Sequence, residues 1–123
     1  MIPFAFDYQA VLDARLAEEE TSERALGAIV ARRQEIEREL VDHRGYLESN
    51  RHLTRTQLTG AIDIDVLRAY AGQSVQAMRR VRALVVEMSE VHQVMEKARS
   101  EWMACRRRRR SIECLRDRAL AQW

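Results

Sequence analysis

From Leu67 onward, steps of three and four residues land on Leu67, Tyr70, Ser74, Ala77, Val81, Leu84, Met88, Val91, Met95, Ala98, Trp102, Cys105, Arg109 and Ile112, and only Ser74 and Arg109 in this series are polar. Such stepping averages 3.5 residues per turn, slightly fewer than the α-helix itself uses. An apolar stripe held on it this long stays on one face only if the helix supercoils against a partner helix. Four Gly, one Pro and 6% aromatic residues leave little material for the turns of a sheet or for a layered core.

The first half carries the same period less cleanly, through Tyr8, Leu12, Arg15, Glu19, Ser22, Leu26, Ile29, Arg33, Ile36, Leu40, His43 and Leu47. The stripe is apolar from Leu26 to Leu47. Nearer the N-terminus the stripe is looser, and a phase shift is the alternative that would hand the seam to Val11, Leu16 and Ala25. Between the halves, TRTQLTGAIDID is where β-branched residues and Gly60 interrupt the pattern. The chain is expected to reverse there, with Asp63 capping the second helix and Ile62 and Leu67 forming its hydrophobic staple. Asp7 is expected to cap the first.

These readings give an all-α fold, a long two-helix antiparallel coiled-coil hairpin. One domain covers residues 1–123, with helix 1 over about residues 7–55, a turn over about 56–62 and helix 2 over about 63–121. The expected seam residues are Leu26, Ile29, Ile36, Leu40, Leu47, Leu67, Val81, Leu84, Met88, Val91, Met95, Trp102 and Ile112.

The net charge is only +2, but its distribution is polar. The first 23 residues hold one Arg against six acids, and the last 25 hold eight Arg against three acids. A reversal near Gly60 sets these ends side by side, where opposite charges flanking a seam fix orientation and register. The run Arg106 to Arg110 is too dense for all five guanidinium groups to face those acids. It reads as a solvated face partly paired with the N-terminal acids, as a docking surface for an acidic protein, or as a site for nucleic acid or anionic lipid. The absence of interleaved aromatics argues against nucleic acid.

Nothing in the chain points to catalysis. His43, His52 and His92 are too far apart to share a helical turn, and neither Cys lies near them, so no metal is expected. Glycine-rich phosphate loops and nucleophile motifs are absent, and Glu18, Glu19 and Glu20 read as a solvated run with no cleft; no cofactor and no small-molecule substrate are expected. Cys105 and Cys114 stand about 13 Å apart along one helix, too far to bridge. No apolar stretch is long enough to span a bilayer, and MIPFAFDYQAVLDAR lacks the form of a signal peptide, so a cytoplasmic location is expected. Trp102 should be core, whereas Phe4, Phe6 and Trp123 sit where the two chain ends meet, either packed together or available to a partner.

Both ends of the sequence resemble the FliJ family, the coiled-coil stalk and general chaperone of the flagellar type III export apparatus, itself related to the YscO-type stalk proteins of injectisomes. The N-terminal resemblance lies in FAFDYQAVLDARLAEEE, through Phe4, Phe6, Val11, Leu12, Arg15 and the acidic run. The C-terminal one lies in WMACRRRRRSIECLRDRAL, through Trp102, Ala104, Arg106, Arg107, Ile112, Glu113, Leu115 and Arg118. Ile112 stands where the family usually has Leu, and Lys97 is the one lysine. The resemblance implies a shape similar to the coiled coil of the rotary ATP synthase gamma subunit, with its open end inside a hexameric export ATPase ring. It also implies contacts with the cytoplasmic domain of the export gate protein and with substrate chaperones, at the inner membrane. Phe4, Phe6, Arg15, Arg106, Arg107, Glu113 and Arg118 would form the ATPase-side end. The stalk of a non-flagellar secretion system, an Arg-rich binder of nucleic acid or anionic surfaces, and a plain structural coiled coil are the alternatives.

Overall fold

A computed structural model of the chain describes residues 5–123. They form two helices, α1 over Gln9–Leu58 and α2 over Ile64–Gln122, paired as an antiparallel helical hairpin with no strand among the described residues. All fourteen positions of the α2 series are buried or half-buried. Ala77, Leu84, Met95 and Cys105 are the most enclosed of them, and Leu12 and Ile36 are their counterparts on α1. Neither helix could keep such a stripe in water, so pairing supplies most of their stability.

On α1 the phase shift does not occur. Val11 and Leu16 are 37% and 45% exposed and Ala25 faces solvent, while Leu12 is only 2% exposed. The three-four stepping runs unbroken from Leu12 through Arg15, Glu19 and Ser22 to Leu26, leaving polar side chains half-buried on the seam. Constant phase wins because α2 keeps its own stripe straight, and a shifted α1 would turn Leu12 away from it. Gln9 rather than Tyr8 begins the series, since Tyr8 is largely exposed.

The helix ends differ from each other. Asp63 caps α2: its Oδ1 accepts from the amides of Asp65 (3.0 Å) and Val66 (3.4 Å), as an N-cap carboxylate should. Ile62 remains 60% exposed and does not close the staple. Asp7 makes no such bond among the described residues; α1 begins instead from a turn in which the Gln9 amide donates to the Phe6 carbonyl at 3.0 Å. α1 continues past Arg55 to Leu58, where the Thr59 hydroxyl donates to the Thr56 carbonyl of the last turn at 2.8 Å, and the Thr56 hydroxyl back-bonds to the His52 carbonyl at 3.1 Å. Gly60 has no positive φ, so the reversal does not depend on glycine's conformational freedom.

Contacts divide the chain into two units, each with a segment of both helices. The terminal unit joins the chain up to Val30 with Gln93–Trp123, and the turn-proximal unit is Ala31–His92. In the terminal unit Glu19 meets Arg109 and Ser22 meets Cys105 (3.3 Å), rising along α1 while falling along α2, as antiparallel helices must. In the turn-proximal unit the same order holds for Arg32 with Glu87, Glu39 with Arg80, Tyr46 with Gln73, and Asn50 with the Tyr70 carbonyl.

A candidate protein-binding surface on the terminal unit

The arginine run is the densest charge in the chain, and the helix distributes it over environments that differ by residue. Arg109 takes the seam. Its Nε donates to Glu19 at 2.7 Å and its Nη1 to Glu113 at 2.6 Å, with Arg109 and Glu19 side chains 18% and 15% exposed. The short charge-assisted bond to Arg109 holds the Glu19 carboxyl below its usual range, against the desolvation that would raise it. The same two carboxylates hold the Arg109 guanidinium above its usual value.

The other four diverge. Arg108 reaches Glu18 at 4.0 Å on the flank, and Arg106 lies over the Trp102 ring at 5.6 Å, a cation–π contact. Arg107 and Arg110 are exposed and have no carboxylate partner among the described residues. Arg118, farther along α2, is likewise exposed and unpaired among them. One helix therefore offers cations committed to the fold and cations left over.

The other expected contact residues fall on both sides of that division. Arg15 is half-buried and bridged to Glu18 at 3.1 Å, and Glu113 is spent on Arg109. Phe6 packs edge-on against Tyr8 at 5.8 Å between ring centroids and 66° between planes, and Tyr8 is exposed. Phe4 lies outside the described residues. Trp123 is 65% exposed. Trp102 is half-buried as a seam residue, and its indole Nε1 is enclosed with no acceptor among the described residues.

The α1 series read from the sequence ends at Leu47. One more step of three reaches Asn50, a polar residue only 4% exposed, whose Nδ2 donates to Ser74 Oγ at 3.2 Å and to the Tyr70 carbonyl at 3.4 Å. A buried Asn on a seam fixes the local register, because any slip leaves its amide unpaired. The same stepping that found Leu47 would have found it.

Among the described residues no group of three His, Cys, Asp or Glu side chains could hold a metal ion, and no helix is long and apolar enough to cross a membrane. No curated protein and no solved structure matches the chain. The family model described as flagellar FliJ protein matches residues 4–123, essentially its whole length. With that match added to the paired seams, the chain belongs to the FliJ family, a non-enzymatic family associated with flagellar protein export.

Proposed function

We propose that this protein is a stalk and chaperone of the flagellar type III export apparatus. Its terminal end enters the hexameric export ATPase ring, and it couples the ring to the cytoplasmic domain of the export gate protein and to substrate chaperones. The observation that supports the terminal end as the working end is the surplus of cations there: Arg107, Arg110 and Arg118 have no internal carboxylate among the described residues, whereas Arg108 and Arg109 do. Exposed guanidinium groups suit bidentate capture of carboxylates on a partner. Phe4, Phe6, Arg15, Arg106 and Glu113 complete the proposed end, with Arg106 held in place by Trp102 and Glu113 by Arg109. The protein works in the cytoplasm, peripheral to the inner membrane.

The distribution of the run disfavours nucleic acid, since a phosphate backbone is followed by a continuous basic face and here that face is broken between seam, ring and flank. The family match favours the flagellar over the non-flagellar system. The test is a pull-down and ATPase assay with the cognate flagellar export ATPase. Association and stimulated hydrolysis are expected, both reduced about tenfold or more by the combined Arg107→Glu and Arg118→Glu substitutions. Wild-type protein that neither binds nor stimulates would remove the proposal.

A further inference from the structure

In the turn-proximal unit the hairpin's two flanks are unequal. Three cross-helix pairs there, Arg32 with Glu87, Glu39 with Arg80 at 2.8 Å and Tyr46 with Gln73 at 2.9 Å, join residues that stand one position before a seam residue, while Asn50 and its partners lie on the seam itself. All three therefore lie along one flank and close it. The opposite flank is built from residues one position after the seam, Arg44 and Arg51 on α1 and Met78 and Val85 on α2. No hydrogen bond or ion pair crosses it among the described residues.

That open flank carries a second three-four series. Val75, Met78, Arg82 and Val85 repeat the seam's spacing on the outside of α2, and the three apolar members are 51%, 43% and 55% exposed. A helix with two such stripes is built to pack against two helices, and only one is present. The surface between is concave: one groove is lined by Leu40, Leu47 and Val81 with Arg44, Glu48 and Arg51 at its rim, Glu48 being paired with Arg44 at 3.4 Å so that Arg51 is the cation left over, and another by Ser74, Val75, Met78, Arg79 and Arg82. Arg51, Arg79 and Arg82 are exposed and have no carboxylate partner among the described residues.

We propose that this flank seats a third helix, an acidic amphipathic helix of another protein. Its apolar stripe lies on Val75, Met78 and Val85, and its carboxylates face Arg51, Arg79 and Arg82. The spacing selects a helix, because extended chain presents side chains at period two and cannot follow three-four steps. The charge selects an acidic one, since a basic helix would meet three uncompensated guanidinium groups. The site lies in the turn-proximal unit and stands independently of the terminal-end reading.

The test uses the full chain and three labelled peptides of three heptads each: Leu on the stripe with Glu on the flanks, a scrambled isomer, and the same Leu stripe with Lys for Glu. Anisotropy should show saturable binding of the Leu–Glu peptide alone. Met78→Ser with Val85→Ser should weaken it about tenfold or more, which corresponds to ~1.4 kcal/mol. Arg79→Glu with Arg82→Glu should transfer preference to the Lys peptide. All four residues are exposed, and circular dichroism checks that the helices remain. Equal binding of the scrambled peptide, no saturable binding, or indifference to the serine pair overturns the proposal. So does self-association in sedimentation that the serine pair abolishes, which would seat a second copy there, or tighter binding to anionic vesicles than to the Leu–Glu peptide.

Discussion

Arg109 occupies a seam position that an apolar side chain could fill without desolvating a charge, and its two carboxylate partners are what make it tolerable. The arrangement has a pH signature. Glu19 has its carboxyl pKa lowered in the fold, chiefly by the Arg109 hydrogen bond. It therefore contributes stability that is fully present above the ordinary carboxylate value of 4.5 and is lost as pH falls through the folded value. Glu39, lowered by Arg80, acts in the same direction from a more exposed position. Urea unfolding at pH 7 and at pH 3 should show a loss of stability in acid, and Glu19→Gln should shrink that difference by lowering the pH 7 value. An unchanged difference would mean the pair does not contribute. The charge at Arg109 was visible in the sequence as a break in the series, but its partners were not. Glu19 lies ninety residues away, and only the pairing register decides which acid it meets.

At the scale of the element, α2 was legible and α1 half so, for a physical reason. On α2 the residues that must be buried are nearly all apolar, so periodicity and burial coincide at all fourteen positions. On α1 the terminal segment half-buries Arg15, Glu19 and Ser22 and exposes Val11 and Leu16, so hydrophobicity points to the wrong phase. What sets the phase there is the partner helix, which a single segment's pattern does not contain. The cap at Asp63 could be read because a carboxylate and the amides it accepts from are near in sequence, whereas α1 starts from a backbone turn that leaves no side-chain signature. The observed phase is testable with two leucines on one helix. Leu12→Ala, at 2% exposure, should cost ~2–4 kcal/mol in chemical denaturation, and Leu16→Ala, at 45% exposure, less than ~1 kcal/mol. The reverse order would restore the shifted seam.

For the molecule as a whole, the alternative to a hairpin is a pair of straight helices from two chains, and one contact separates the two. Ser22 Oγ and Cys105 Sγ are 3.3 Å apart on facing helices, so a Ser22→Cys substitution places two sulfurs at the seam within reach of each other. Cys114, which is exposed, is changed to Ser in the same chain to keep it from forming bridges of its own. In the hairpin, mild oxidation joins residues 22 and 105 of one chain and yields a covalently closed monomer that migrates faster when unreduced. In a straight helix those positions are separated by roughly 125 Å at 1.5 Å per residue, and any bond must form between chains. A parallel pair aligns like positions and gives dimers bridged between the two introduced thiols at position 22, whereas an antiparallel intermolecular pair gives dimers through residues 22 and 105. Peptide mapping of the oxidised product, with its size, distinguishes all three, and the structure requires the first. The burial of Cys105, 3% exposed, adds a rate to the outcome: its thiol should resist alkylation in the native chain while Cys114 reacts freely, so the oxidant first takes up the introduced thiol at position 22 as a mixed disulfide, and Cys105 then closes the bond by displacing the reduced reagent.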